Sequence, residues 1–90
     1  MPACTSVPSQ VTDTIALAAA GGPFPYTQDG AVYQNREAEL PAESASYYHL
    51  YTVPTPGTSG RGDRRLVTGS GGEDYYSADN FASFCDVAAG

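Results

Sequence analysis

Residues 47–53, YYHLYTV, read as a β-strand: aromatic and β-branched side chains fill the stretch, and turn-like segments flank it. Strand side chains alternate between faces. Tyr48, Leu50 and Thr52 therefore share one face, and Tyr47, His49 and Tyr51 the other. The position to explain is Leu50, which is either ordinary core or an apolar residue standing where chemistry belongs.

Upstream of that strand, residues 8–22 (PSQVTDTIALAAAGG) carry the clearest helical pattern. Pro8 and Ser9 supply a start signal, and Thr12 and Asp13 are further capping candidates. Val11, Ile15 and Ala18 fall at helical spacing, and Gly21-Gly22 ends the run. The segment is short and alanine-rich, so it needs a sheet to pack on. Two prolines and an Asp-Gly pair then mark turns, and AVYQNRE (31–37) begins as a strand and ends as a polar loop. Downstream, PTPGTSGRGD (54–63) is a loop, RRLVTG (64–69) a strand and SGGED (70–74) a turn. YYSADN (75–80) is a strand end and loop, and FASFCDV (81–87) the last strand. A helix followed by antiparallel strands gives an α+β fold. Ninety residues form a single domain, with 1–6 as an N-terminal arm and 86–90 as a loose tail.

The chain has ten acidic and four basic residues and a net charge of −6, which argues against unspecific coating of nucleic acid. All four bases are arginines: Arg36, Arg61, Arg64 and Arg65. Their clustering points to one local anion site or, equally, to internal salt bridges with the surplus carboxylates. Cys4 and Cys85, one near each end, suit a single disulfide closing nearly the whole chain; two buried free thiols are the alternative. Two distant cysteines and one histidine do not make a metal site, and no cofactor is expected. No stretch approaches a membrane span. Residues 1–20 lack the charged start and long apolar core of a signal peptide.

Several short motifs have plain readings. Arg61-Gly62-Asp63 matches an adhesion tripeptide, but so short a motif recurs by chance. GSGG (69–72) lacks the lysine and the strand–loop–helix setting of a phosphate loop, so a hairpin turn is the better reading. His49 reads as a hydrogen-bonded, partly buried histidine. YQNRE (33–37) offers an aromatic, two amides, a guanidinium and a carboxylate in one loop, a set that suits a purine edge. A polar strand end with Glu37 paired to an arginine is the competing reading.

Taken together, GPFPYTQDGAVYQNRE, YYHLYTV, RGDRRLVTG and EDYYSADNFASF resemble the small secreted guanyl-specific ribonucleases of Streptomyces, within the barnase-like microbial ribonuclease superfamily. The resemblance runs from about residue 7 to residue 84. It implies one N-terminal helix packed on a twisted antiparallel sheet of about five strands, a terminal disulfide, a monomer, and a secreted protein whose signal peptide is absent from this sequence. Carried over by position, Tyr33 stacks on the base, and Gln34, Asn35 and Arg36 present backbone groups to guanine. Glu37 accepts the guanine N1 and N2 hydrogens. Arg61 and Arg65 hold the scissile phosphate, with Arg64 nearby. Guanine nucleotide or single-stranded RNA is the implied ligand, and a protein ribonuclease inhibitor is a further candidate partner.

The same resemblance explains Leu50. The family strand reads Tyr-Tyr-His-Glu-Tyr-Thr-Val, and its glutamate is the general base that takes the 2′-hydroxyl proton. Where the family reads Asp-His-Tyr, with the histidine as general acid, this chain has Asp79-Asn80-Phe81. Leucine neither accepts nor donates a proton, and asparagine cannot deliver one near neutral pH. The expectation is a guanine-binding ribonuclease fold with most or all endoribonuclease activity lost. The alternatives are weak cleavage by substitute groups (Glu37, His49, Asp74 or Asp79) and a protein-binding decoy or toxin relative.

Overall fold

The computed structural model describes residues 1–87. Helix α1 spans Ser9–Ala20, and four strands follow: β1 Tyr48–Thr52, β2 Arg65–Gly69, β3 Asp74–Ser77 and β4 Cys85–Asp86. They form one antiparallel sheet in the order β1-β2-β3-β4, and α1 packs on β1 and β2.

The helix begins without side-chain capping. Pro8 occupies the cap position and makes no side-chain cap bond, so neither Ser9, Thr12 nor Asp13 serves there. Fixed proline geometry starts the helix instead. Its end is the glycine stop: Gly21 sits at φ 82°, and the amides of Gly21 and Gly22 donate back to the Ala18 and Leu17 carbonyls. Val11 and Thr14 face inward, and the Thr14 hydroxyl donates to the Gln10 carbonyl at 2.8 Å.

The register places Leu50 opposite Val67, and Val67 opposite Tyr75; Thr52 faces Arg65, which faces Ser77. Alternation then gives the sheet two different faces. On the helix side, Leu66, Tyr76 and Val53 close a core with Val11, and Tyr51 packs against it. On the other side Tyr48, Val67 and Tyr75 form a second core with Tyr33, Leu40 and Phe84, against which Leu50 and Phe81 pack.

The sheet has four strands because residues 30–33 do not extend into a fifth. They lie along β1 through a single Val32–His49 bridge, with the Tyr33 amide donating to Tyr48 O and the Leu50 amide to Ala31 O. Asn35, at φ 55°, then turns the chain away, its side-chain amide bonded to both backbone groups of Leu40's turn (Leu40 O at 2.9 Å, Leu40 N at 3.1 Å). The last strand is also shorter than its sequence implies. Asp79 holds 77–83 as a turn by accepting from Ser77 Oγ at 2.8 Å, Ser83 N at 2.9 Å and Ser83 Oγ at 2.6 Å. Residue 86 is not tail: Asp86 belongs to β4, and the Val87 amide donates to Asp74 O. Residues 88–90 lie outside the described residues. GSGG is a hairpin turn, closed by Gly72 N to Gly69 O at 3.0 Å and Gly69 N to Glu73 O at 2.8 Å.

Cys4 and Cys85 form a disulfide across 81 residues of sequence, with a Cα–Cα distance of 4.9 Å. The N-terminal arm reaches it by pairing Ala3 with Asp86. No helix of the described residues is long and apolar enough to cross a membrane.

Two stability measurements follow from this packing. Reducing the disulfide, or the double change Cys4→Ser/Cys85→Ser, is expected to cost about 4–5 kcal/mol in urea unfolding, the chain-entropy value for so long a loop; a loss below 1 kcal/mol would contradict it. Burial, with Tyr75 and Glu43 nearby, pushes the Tyr48 phenol from the usual 10.0 up to about 12, and its hydroxyl donates to Pro41 O at 2.7 Å. The folded state thus holds this proton where the unfolded chain releases it. The resulting stability is present below pH 10 and is lost as pH rises toward about 12. Burial raises Tyr33 and Tyr75 as well, so Tyr48→Phe should flatten the alkaline loss in a pH series of denaturation curves without abolishing it.

Candidate functional site

The sheet face that carries Leu50 also carries the arginines. Arg65 opens β2 opposite Thr52 and is only 4% exposed. Its Nη1 donates to the Arg64 carbonyl at 2.8 Å, and its guanidinium carbon lies 5.8 Å from the centroid of the Phe81 ring. Arg61 comes from the loop before β2, and its Nε donates to the Thr52 hydroxyl at 2.7 Å. The Thr52 amide in turn donates to Asp29 Oδ1 at 2.7 Å, so a carboxylate from the 20s loop fixes the residue that fixes Arg61. Glycine is required at position 62: φ is +69°, and a Cβ would come within 2.8 Å of Thr55 Oγ1. The Arg-Gly-Asp tripeptide is thus a bent loop segment whose arginine is bonded to Thr52 rather than an exposed adhesion loop.

Burial lowers the pKa of Arg65, and the like charge of Arg61 lowers it further; Asp63, Asp29 and Tyr26 act in the opposite sense. Arg61 Nη2 and Arg65 Nε are buried and make no hydrogen bond among the described residues. The hydrogen bonds these guanidiniums do make go to a hydroxyl and a carbonyl, which favours the anion-site reading of the arginine cluster.

Leu50 is a diagonal neighbour of Arg65 across β1 and β2, a separation of roughly 7–8 Å in sheet geometry. Its backbone is pinned, with Leu50 N donating to Ala31 O at 2.9 Å and Leu50 O accepting from Gly30 N at 2.8 Å. Asn80 sits exposed in the Asp79 turn, its amide donating to Asp63 O at 2.8 Å, which ties that turn to the arginine loop. Asn80 and Phe81 both have positive φ, 55° and 75°. For phenylalanine that conformation is strained. It is held by the Phe81 amide donating to Ser77 Oγ at 2.9 Å and by the ring lying 5.1 Å from Tyr33.

The loop of residues 33–38 forms the other half of the site. Tyr33 is buried, against Phe81 and Phe84, and its hydroxyl has no hydrogen-bond partner among the described residues. Burial, with Glu37 and Glu39 close by, raises its pKa. A cavity of about 190 Å³ opens beside Tyr33, Gln34, Asn35, Ala38 and Tyr48. Arg36 and Glu37 are exposed on the turn and do not line it. The structure therefore brings Leu50, Arg61, Arg65 and Phe81 to one patch, reached by Arg64 through its backbone carbonyl and by Asn80 through Asp63 O, and joins it to the 33–37 loop through the Tyr33–Phe81 ring contact.

His49 faces the opposite side of the sheet, and its Nδ1–H donates to Gly30 O at 2.9 Å. Asp74 lies on that opposite face too. Sequence reasoning placed Thr52 on Leu50's face but did not identify its grip on Arg61. Asp29 and the Asp79 clasp were likewise missed. The available signal for Thr52 was a hydroxyl at an inward strand position, a polar group that must find a partner when buried.

A family model described as ribonuclease matches residues 3–88. Guanyl-specific ribonuclease Sa3 of Kitasatospora aureofaciens is 59% identical over 81 residues, covering 89% of this chain and 57% of that protein. Guanyl-specific ribonuclease Sa of the same organism is 54% identical, covering 89% of this chain and 84% of its own length. Guanyl-specific ribonuclease St of Saccharopolyspora erythraea is 50% identical, covering 87% and 77%. Among solved structures, ribonuclease Sa2 with guanosine-2′-cyclophosphate superposes with a TM-score of 0.89 at 48% identity, over 97% of this chain and 96% of that one. Ribonuclease Sa2 with 3′-GMP gives 0.88 at 47% identity with the same coverage. The match in sequence along nearly the whole chain, and in the helix-on-sheet architecture, makes this chain a member of the ribonuclease family, grouped with the guanyl-specific ribonucleases.

Proposed function

We propose that this chain recognises guanine nucleotide or RNA through the 33–37 loop and the arginine pair, and has lost most or all of its family's cleavage activity. The observation that carries this reading is Leu50's place on the same sheet face as Arg65 and the Thr52-held Arg61. Transesterification after guanine forms a bond from the ribose 2′-oxygen to phosphorus and breaks the bond to the 5′-oxygen. One group takes the 2′ proton, and another gives a proton to the departing 5′-oxygen. The arginines stabilise the charge that builds on the phosphate between those events. Leu50 and Asn80 stand at the two proton-transfer positions and perform neither transfer.

The candidate stand-ins are badly placed. His49 and Asp74 face the helix side of the sheet. Both carboxylate oxygens of Asp79 accept from serine side chains, which holds its pKa below the usual carboxylate range and makes it a poor base. Glu37 is exposed in the loop assigned to the base. Each general acid or base typically contributes about 10²–10⁴ in rate, and paired losses are not additive.

Recognition, by contrast, has its parts. One relative of this fold, ribonuclease Sa2, has been solved with guanosine-2′-cyclophosphate and with 3′-GMP. In this chain Tyr33, Gln34 and Asn35 line a cavity, and the Asn35 carbonyl accepts from the Ala38 amide. The Gln34, Asn35 and Arg36 amides are assigned to the guanine O6 and N7 edge, and acceptance from N1 and N2 to the exposed Glu37. Arg61, Arg65 and the neighbouring Arg64 supply phosphate contacts. The disulfide supports an oxidising, extracellular setting.

Two experiments test the proposal. Leu50→Glu with Asn80→His should raise cleavage after guanine by about 10²-fold or more over the parent, and by more than either change alone. A double variant that folds, binds guanosine 3′-monophosphate and still leaves RNA intact would sink the assignment of these two positions, as would efficient cleavage by the parent. Glu37→Gln should weaken guanosine 3′-monophosphate binding by about tenfold or more, the size of a charged hydrogen bond of about 1.5–3 kcal/mol, with an unchanged circular dichroism spectrum. Equal binding of adenine and guanine nucleotides by the parent would refute the guanine assignment.

A further inference from the structure

One cavity lies apart from the 33–37 loop and is lined by none of the arginines. It measures about 100 Å³ and sits between helix α1, the loop that follows the helix and the end of β1. One face of the helix supplies Gln10, Asp13, Thr14 and Leu17, at i, i+3, i+4 and i+7. Phe24 and Pro25 come from the following loop, and Tyr51 from the helix side of the sheet. The aromatic wall is fixed by its own sequence. Pro23 and Pro25 stiffen the chain on both sides of Phe24, and the Phe24 and Tyr51 rings lie 5.2 Å apart. Gly22 leaves room for that ring: a Cβ there would come within 3.2 Å of it.

The lining decides what the cavity suits. Leu17, Phe24, Pro25, Tyr51 and Pro54 make most of it apolar. Its two charged side chains are both acidic: Asp13, exposed at the rim, and Asp29, half-buried. Asp29 accepts from the Thr52 amide through Oδ1 and makes no other hydrogen bond among the described residues. It also acts on Arg65, though less than Asp63 does. An anion would meet two like charges here, and a neutral molecule would leave both carboxylates unused. A cation meets the carboxylates and is attracted to the ring faces of Phe24 and Tyr51 as well. Size sets the other bound. An apolar cavity of about 150 Å³ holds benzene, so about 100 Å³, open to solvent beside the exposed Asp13 and Pro54, takes an apolar body of at most one ring with its charge kept at the mouth.

We propose that this cavity is a second binding site, for a small organic ammonium ion. The apolar body packs against Leu17, Phe24 and Tyr51, and the charged end faces Asp13 and Asp29. The site is independent of guanine recognition, but its occupancy is felt at Arg61. Asp29 Oδ1 holds the Thr52 amide at 2.7 Å, the Thr52 hydroxyl holds Arg61 Nε at 2.7 Å, and Thr52 itself lines the cavity. An ammonium drawing on Asp29 therefore perturbs the Thr52 amide and, through the hydroxyl, Arg61.

The test is NMR titration of the parent protein, near neutral pH and at low ionic strength, with three probes of one shape: benzylammonium, benzyl alcohol and benzoate. Benzylammonium should shift the Phe24 and Tyr51 ring resonances and the Thr52 amide saturably, and bind about fivefold tighter than benzyl alcohol. Benzoate should leave these resonances in place. Asp29→Asn keeps an oxygen for the Thr52 amide, and Asp13→Asn alters an exposed side chain. Each should weaken benzylammonium about twofold or more, and the two together should bring it to the level of benzyl alcohol, whose own binding stays unchanged. Leu17→Phe, which fills the apolar wall, should abolish binding of both. If Asp29→Asn does not fold, Asp13→Asn and the order of the three probes on the parent still decide. Equal affinity for benzylammonium and benzyl alcohol overturns the assignment of a cation. Shifts that fail to saturate by about 50 mM, too weak even for so small a ligand, or that fall on residues outside the cavity, overturn the site itself.

Discussion

A slip of one residue between β1 and β2 would carry Arg65 from the site face to the helix side and bring a neighbouring side chain into its place. The pairing of Thr52 with Arg65 is therefore the constraint on which the site rests. Thr52 is held from three directions: its strand pairing, its amide on Asp29, and its hydroxyl under Arg61 Nε. Val53, the next residue, is fully buried in the helix-side core, and its amide donates to Arg64 O. One pair of adjacent residues thus ties the helix-side core to the arginines, which is how a remote packing element comes to set the position of a guanidinium.

Burying a guanidinium is unfavourable unless its donors are met. Arg65 meets part of that demand through Arg64 O and the Phe81 ring. Arg61 Nη2 and Arg65 Nε make no hydrogen bond among the described residues, and a buried donor left unmet generally costs about 1–3 kcal/mol. A domain of this size has little stability to spare, and the long-loop disulfide offsets such a cost. The strained Phe81 backbone follows the same logic. Its positive φ is tolerated because Ser77, the Tyr33 ring and the Arg65 guanidinium all hold the residue in place.

Much of this was legible in the sequence because it depends on period and on local turn chemistry. The alternation in YYHLYTV sorts Leu50 and Thr52 from His49, and the Gly21-Gly22 stop and the glycine hairpin are written in residue type. What was not legible depends on contacts distant in sequence. Asp29 reaching Thr52 spans 23 residues, and nothing local marks it. The Asp79 clasp shortened the expected last strand because its bonds to Ser77 and Ser83 curl residues 77–83 into a turn. Residues 31–33 lie beside β1 yet form one bridge rather than a strand, since the Asn35 turn ends the pairing. The pairing of Asp86 and the anchoring of Val87 were hidden for a different reason: tail composition says nothing of the N-terminal arm that Ala3 and Cys4 bring alongside.

Positions 50 and 81 act together. Leu50 and Phe81 both pack on the cluster built from Tyr33, Val67, Tyr75 and Phe84, so both extend the core on this face of the sheet. Apolar contact there stabilises the fold, and neither side chain is ionisable. An ionisable group at either position would forgo that contact. The arginines cannot follow the same course, because the Thr52 hydroxyl would lose its donor if Arg61 became apolar, and the Arg64 carbonyl, left with the Val53 amide alone, would lose one of its two if Arg65 did. An arginine pair held by polar partners beneath an apolar wall is thus self-consistent: the wall strengthens the core, and the Thr52 hydroxyl and the Arg64 carbonyl keep the guanidiniums fixed.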